Sequence, residues 1–205
     1  MKQLLFSLFI LYSLFCSAQT FQKAQEESAV DFIKKNVPDG LTFTDALTSQ
    51  VIATDWNAVP SIFGFYLRTY KLPGDDEGYE DVIGYVYRQT GNDTYERILI
   101  DTFENEGGTA GITAVFFANA DKDTARELVI LTRRDAHHHD VDGQLYETRI
   151  YDNILPGQHT RKLTYLQNAS QKVSGGFDGY REGENVHSKF KTAKEVRAGL
   201  KQAGY

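Results

Sequence analysis

Residues 112–133 read ITAVFFANADKDTARELVILTR. Two apolar runs, 112–118 and 128–133, flank a polar segment with Asn119, Asp121, Asp123 and Glu127 at alternating or near-alternating positions. Each run has the length of a β-strand, and both are rich in the branched and aromatic residues that strands favour. The segment between them is too short for a helical crossover, so the two strands must pair antiparallel. This hairpin decides the class of the fold, because the runs on either side of it read the same way.

Upstream, Phe63, Phe65 and Leu67 alternate with Gly64, Tyr66 and Arg68, which is the period-2 pattern of a strand. Runs 82–87 and 95–100 follow, joined by Thr90-Gly91-Asn92-Asp93, a hairpin-turn sequence. Downstream lie 144–151 and a weaker run at 161–166, and short strands fit 42–44 and 51–53. Short connections throughout predict a meander, and the lack of any repeating period excludes a solenoid or propeller.

Helices are expected at both ends. Thr20 can cap a helix over residues 20–36, with Phe21, Ala24, Ala29, Phe32 and Ile33 on one face and Pro38 ending it. Thr192 and Glu195 form a capping box that opens a second helix with Val196, Leu200 and Ala203 on its buried side. The glycine-rich stretch 174–183 reads as a long loop pinned by Phe177 and Tyr180. Trp56 and the tyrosines at 66, 70, 85 and 87 could form an aromatic ligand face. Core or rim packing is the ordinary role of such residues in strands. The expected fold is α+β: one domain over residues 19–205, a meandering antiparallel β-sheet with an N-terminal and a C-terminal helix packed on it.

Residues 1–18 have the chemistry of a secretory signal peptide: Lys2, an apolar run over 4–15, and the small residues Ser17 and Ala18 at the expected cleavage point. Cleavage after Ala18 predicts a secreted or periplasmic protein. Lipidation at Cys16 is disfavoured, because bulky Phe15 stands where a lipoprotein signal has a small residue. Cys16 is the one cysteine, so residues 19–205 offer neither disulfides nor a thiolate for metal binding or nucleophilic attack. Without Lys2, 21 basic residues face 28 acidic ones, a net charge of −7. That balance argues against nonspecific binding to nucleic acid. No apolar run after the leader approaches a membrane span.

Oxygen-bearing side chains at Asn119, Asp121, Asp123 and Glu127 suit calcium, a hard cation that takes six to eight oxygen ligands. With Leu128 behind it, the loop resembles the Asp-x-Asp/Asn-x-Asp-Gly-x-x-Asp-Leu calcium loop of FG-GAP and VCBS-type repeats, known from integrin propellers. The resemblance spans about ten residues and implies one structural calcium. Thr124 stands where that loop has glycine, Asn119 replaces a charged first ligand, and Glu127 is longer than aspartate. The other reading of the segment is a metal-free acidic turn neutralised by Lys122 and Arg126. His137-His138-His139 would place His137 and His139 on one strand face, a second candidate for metal, although Asp142-Gly143 suggests a turn nearby.

None of the nucleophile-elbow, zinc-protease, P-loop or dinucleotide signatures occurs. The expectation is therefore an extracytoplasmic binding or interaction module for a protein or glycan ligand. A small periplasmic hydrolase of glycan or peptide, or an inhibitor of a secreted hydrolase, are the alternatives.

Overall fold

The computed structural model describes residues 19–74, 76–155 and 157–205. The leader-like segment and Cys16 lie outside the described residues. Among the described residues, ten strands form two antiparallel sheets. The first contains β1 (Thr20–Gln22), β2 (Ile52–Trp56), β3 (Val59–Tyr70), β4 (Tyr79–Gly91) and β5 (Thr94–Phe103), in the order β1-β5-β4-β3-β2. The second contains β6 (Gly111–Ala118), β7 (Glu127–His138), β8 (Val141–Tyr151), β9 (Gly176–Arg181) and β10 (Glu184–Val186), in the order β10-β9-β8-β7-β6. The described residues add three short α-helices, α1 (Ala29–Lys35), α2 (Gln167–Lys172) and α3 (Ala193–Gln202), and a 3-10 helix at Asp45–Gln50.

The meander expected from the short connections is present within each sheet, but one continuous sheet is not. On β3, Phe63 and Phe65 point one way and Tyr66 the other, and all three are fully buried. A strand covered on both faces needs a layer on each side of its sheet. The first face meets the second sheet: Phe63, Phe65, Val86, Ile98 and Ile100 pack with Leu128, Ile130 and Tyr151 in one inter-sheet core. The opposite face is covered by α1, through Phe32 and Ile33 on Tyr66, Tyr87 and Tyr95. Gly64 makes that contact possible, since a Cβ there would lie 2.6 Å from the Ile33 side chain. Beyond the second sheet, Val196 and Leu200 of α3 and Ala169 of α2 cover Val129, Leu131 and Ile150. The layers therefore run helix, sheet, sheet, helices. The tyrosines Tyr66 and Tyr87 are core residues whose hydroxyls bond each other at 2.8 Å.

Four local expectations are corrected. The first helix begins at Ala29, capped by Ser28, whose Oγ accepts from the Asp31 amide. Residues 20–22 instead extend the first sheet, with Phe21 opposite Tyr95. The spacing of Phe21 suits a helix face, but an open strand edge at 94–96 competes for it. The stretch 174–183 holds β9 and the turn leading into β10 rather than a long loop. Two of its glycines serve close strand contact: a Cβ on Gly175 would press into Tyr146, and one on Gly179 into Asp142 and the facing Gly143. Residues 161–166 make only single bridges, Lys162 to Leu99 and Tyr165 to Tyr151. Of 42–44, only Thr42 pairs, as a single bridge to Leu67. The capping box at Thr192 and Glu195 forms as expected. Among the described residues no helix is long and apolar enough to cross a membrane.

Candidate metal centre

The connection from β6 to β7 is shaped by its own acidic side chains. Asp121 Oδ1 accepts from the Asp123 amide at 2.8 Å, and Asp123 Oδ1 accepts from the Ala125 amide at 2.7 Å. These are successive Asx turns, the local geometry that aspartate offers a tight loop. Asn119 Nδ2 donates to the Asp123 carbonyl at 2.9 Å, so its amide nitrogen closes the loop and only Oδ1 is left as a ligand candidate.

The loop is also held from the other sheet. Trp56 Nε1 and Asn57 Nδ2 both donate to the Arg126 carbonyl, at 2.7 and 3.0 Å, and the Arg126 amide donates to Asn57 Oδ1 at 2.9 Å. Trp56 is buried and stacks on Phe117 at the end of β6. The β2–β3 turn reaches this position through Asn57 and Ala58, both at positive φ.

Glu127 opens β7 and is fully buried. Its Oε2 accepts from the Ala120 amide, and its Oε1 has no hydrogen-bond partner. Carboxylate oxygens of Asp121, Asp123 and Glu127 lie within 4.8 Å of one another. Calcium–oxygen distances of about 2.3–2.6 Å put two ligands of one ion up to roughly 5 Å apart, so the three can share a cation. The donor set is all oxygen, which suits calcium or magnesium rather than zinc or copper. Among the described residues no Lys, Arg or His pairs with any of the three, and neither Lys122 nor Arg126 forms an ion pair. Burial pushes the Glu127 carboxyl up to about 7. The charges of Asp121 and Asp123 add to that rise, and the Ala120 N–H opposes it. Leaving an ionised carboxylate buried without a cation is costly.

Asp152 and Asn153 join the site from the end of β8. Asn153 Nδ2 donates to Asp123 Oδ2 at 3.2 Å and to Asp152 Oδ1 at 3.3 Å. Burial raises the Asp152 carboxyl, with Asp121 and Asp123 contributing to the rise. The strand register could have pointed to this pair: Leu128 faces Tyr151, so the next residue on β8 comes beside Glu127.

The histidine run does not converge on a metal site. The turn between β7 and β8 falls at His139-Asp140, and Gly143 lies inside β8. His137 Nδ1 meets Asp142 Oδ1 at 2.7 Å on an exposed surface. A separate cleft of about 520 Å³ is lined by Arg68, Tyr70, Asp81, Glu104 and Asn105. Its buried Asp81 is held by Arg68 on one oxygen, and by the Asn105 amide and the Tyr70 hydroxyl on the other. So bound, that carboxylate anchors the cleft wall. Compared with known protein families, curated proteins and solved structures, the chain finds no match in any of the three.

Proposed function

We propose that this chain is an extracytoplasmic binding module whose β6–β7 loop takes one calcium ion as a structural strut. The observation that carries the metal is Glu127, a buried carboxylate with one oxygen unpartnered, grouped with two more carboxylates and no cation. Asp121, Asp123 and Glu127 would supply charged ligands, with Asn119 Oδ1 a further candidate from the same loop. The leader-like residues 1–18 support a site outside the cytoplasm, where calcium is plentiful. The ion's role is mechanical. It would neutralise the loop that Trp56 and Asn57 hold against the first sheet, fixing one edge of the sandwich.

Calorimetry of the chelated protein with and without calcium tests this reading. For a dissociation constant near 10⁻⁴ M, about 1 mM calcium stabilises by about 1.4 kcal/mol, a rise in melting temperature of a few degrees. The Asp121→Ala/Asp123→Ala protein should show no such rise. An unchanged melting temperature in wild-type protein at millimolar calcium, or an equal rise in the double variant, rejects the site.

A further inference from the structure

A second feature beside this loop has the opposite charge. A cleft of about 440 Å³ lies between the end of β6 and the last turns of α3, lined by Phe117, Ala118, Asn119, Arg126, Arg197, Leu200, Lys201 and Tyr205. Three of these residues are cationic and none is acidic, in a chain whose net charge is −6. Clefts of this size are typical of small-molecule sites.

The cations are placed rather than scattered. Arg126 projects from a backbone fixed at both its amide and its carbonyl by Asn57 and Trp56. Arg197 lies over the Phe116 ring at 4.6 Å and gives one N–H to the Phe117 carbonyl. A guanidinium has five donors, so its remaining N–H groups are open to a ligand. Lys201 suits the negative end of the α3 dipole, yet its ammonium makes no ion pair among the described residues, and neither does Arg126. Asp55 lines an adjoining cleft together with Arg126 and Phe117, and forms no ion pair with Arg126. Half-buried Phe117 supplies an apolar side, and the nearly buried Leu200 closes the floor.

We propose that this cleft binds a small organic oxyanion, its carboxylate or sulfate between Arg126, Arg197 and Lys201 and its apolar body against Phe117 and Leu200. Guanidinium groups match planar oxyanions through paired N–H donors. The cleft shares Asn119 with the calcium loop, but the inference does not depend on calcium and is testable whether or not an ion binds there.

The test is an amide NMR titration of the ¹⁵N-labelled full chain with benzoate, and separately with inorganic sulfate, at constant ionic strength and in the presence of chelator. Benzoate should give saturable shifts confined to residues 117–119, 126 and 197–205, and should bind more tightly than sulfate. The Arg126→Gln/Lys201→Gln protein should bind benzoate roughly five- to tenfold more weakly, as expected for two partly exposed ion contacts. Both side chains are exposed, and an unchanged spectral fingerprint verifies the variant's fold; Lys201→Gln alone should give a smaller loss of the same sign. Shifts that do not saturate, equal binding of sulfate and benzoate, or undiminished binding in the double variant overturn the proposal.

Discussion

Two groups of carboxylates sit in this sandwich, and they solve the problem of buried charge in opposite ways. Between the sheets, Asp101 and Glu147 carry their own counter-ions. Arg149 reaches Asp101 at 3.1 Å and Glu147 at 2.8 Å, Arg134 reaches Glu147 at 3.2 Å, and Lys162 reaches Asp101 at 2.9 Å. The Tyr151 hydroxyl adds a hydrogen bond to Asp101. At the sandwich edge, carboxylate oxygens of Asp121, Asp123 and Glu127 lie within 4.8 Å of one another, and among the described residues no side-chain cation pairs with them. The first cluster is complete within the chain. The second finds no side-chain counter-ion among the described residues, which is the ground for the ion proposed above.

The largest effect is expected from breaking the first cluster. Arg149→Met leaves the half-buried Asp101 and Glu147 short of their shared cation, and the loss should fall between a surface and a buried pair, about 1–3 kcal/mol. Urea denaturation should show that loss whether calcium is present or not. A loss below about 1 kcal/mol would mean that the cluster is as weak as an ordinary surface pair.

The pH dependence separates the clusters by sign. Burial works against the Asp101 carboxylate, but Lys162 and Tyr151 outweigh it and hold Asp101 below its ordinary value of 3.8. A lowered carboxyl favours the folded state once the unfolded chain ionises, so this stability is present above pH 3.8 and lost as the pH falls through the folded value. Asp101→Asn should flatten that acid limb. Glu127 is raised from 4.5 to about 7, so its contribution is full below pH 4.5 and is lost as the pH rises toward 7. Stability of chelated protein should therefore fall between those values, and either Glu127→Gln or saturating calcium should level the slope. A chelated protein with no decline over that window would remove the contrast between the clusters.

The smallest expected change concerns the turn that clamps the loop. Ala58 adopts φ 63, a left-handed conformation that penalises a Cβ. Ala58→Gly should stabilise the protein by roughly 1 kcal/mol at most, because glycine also gains freedom in the unfolded chain. Thermal melts should show a small rise with the calcium response unchanged. A lost response would show that Ala58 does more than bend the chain.

Much of the fold was legible because strand alternation and turn chemistry are local. The acidic loop was read from its spacing, and Thr192 and Glu195 marked the start of α3. Misreadings arose where the sequence offered two local answers. Phe21 fits a helix face as well as a strand, and the glycines at 175, 176 and 179 look like loop residues until Gly143 is known to face Gly179. The pairing of Asp101 with Arg149 spans 48 positions and had no local signal.

By itself, then, the sequence determined the strands, the turns and the oxygen-rich character of the 119–127 loop, since each depends on residues close in the chain. Only the tertiary structure decided that the meander divides into two layers, because that depends on which faces find a partner. It alone separated the two acidic groups, giving one its arginines and leaving Glu127 buried without a cation. Charge compensation depends on distance in space, which residue order does not specify.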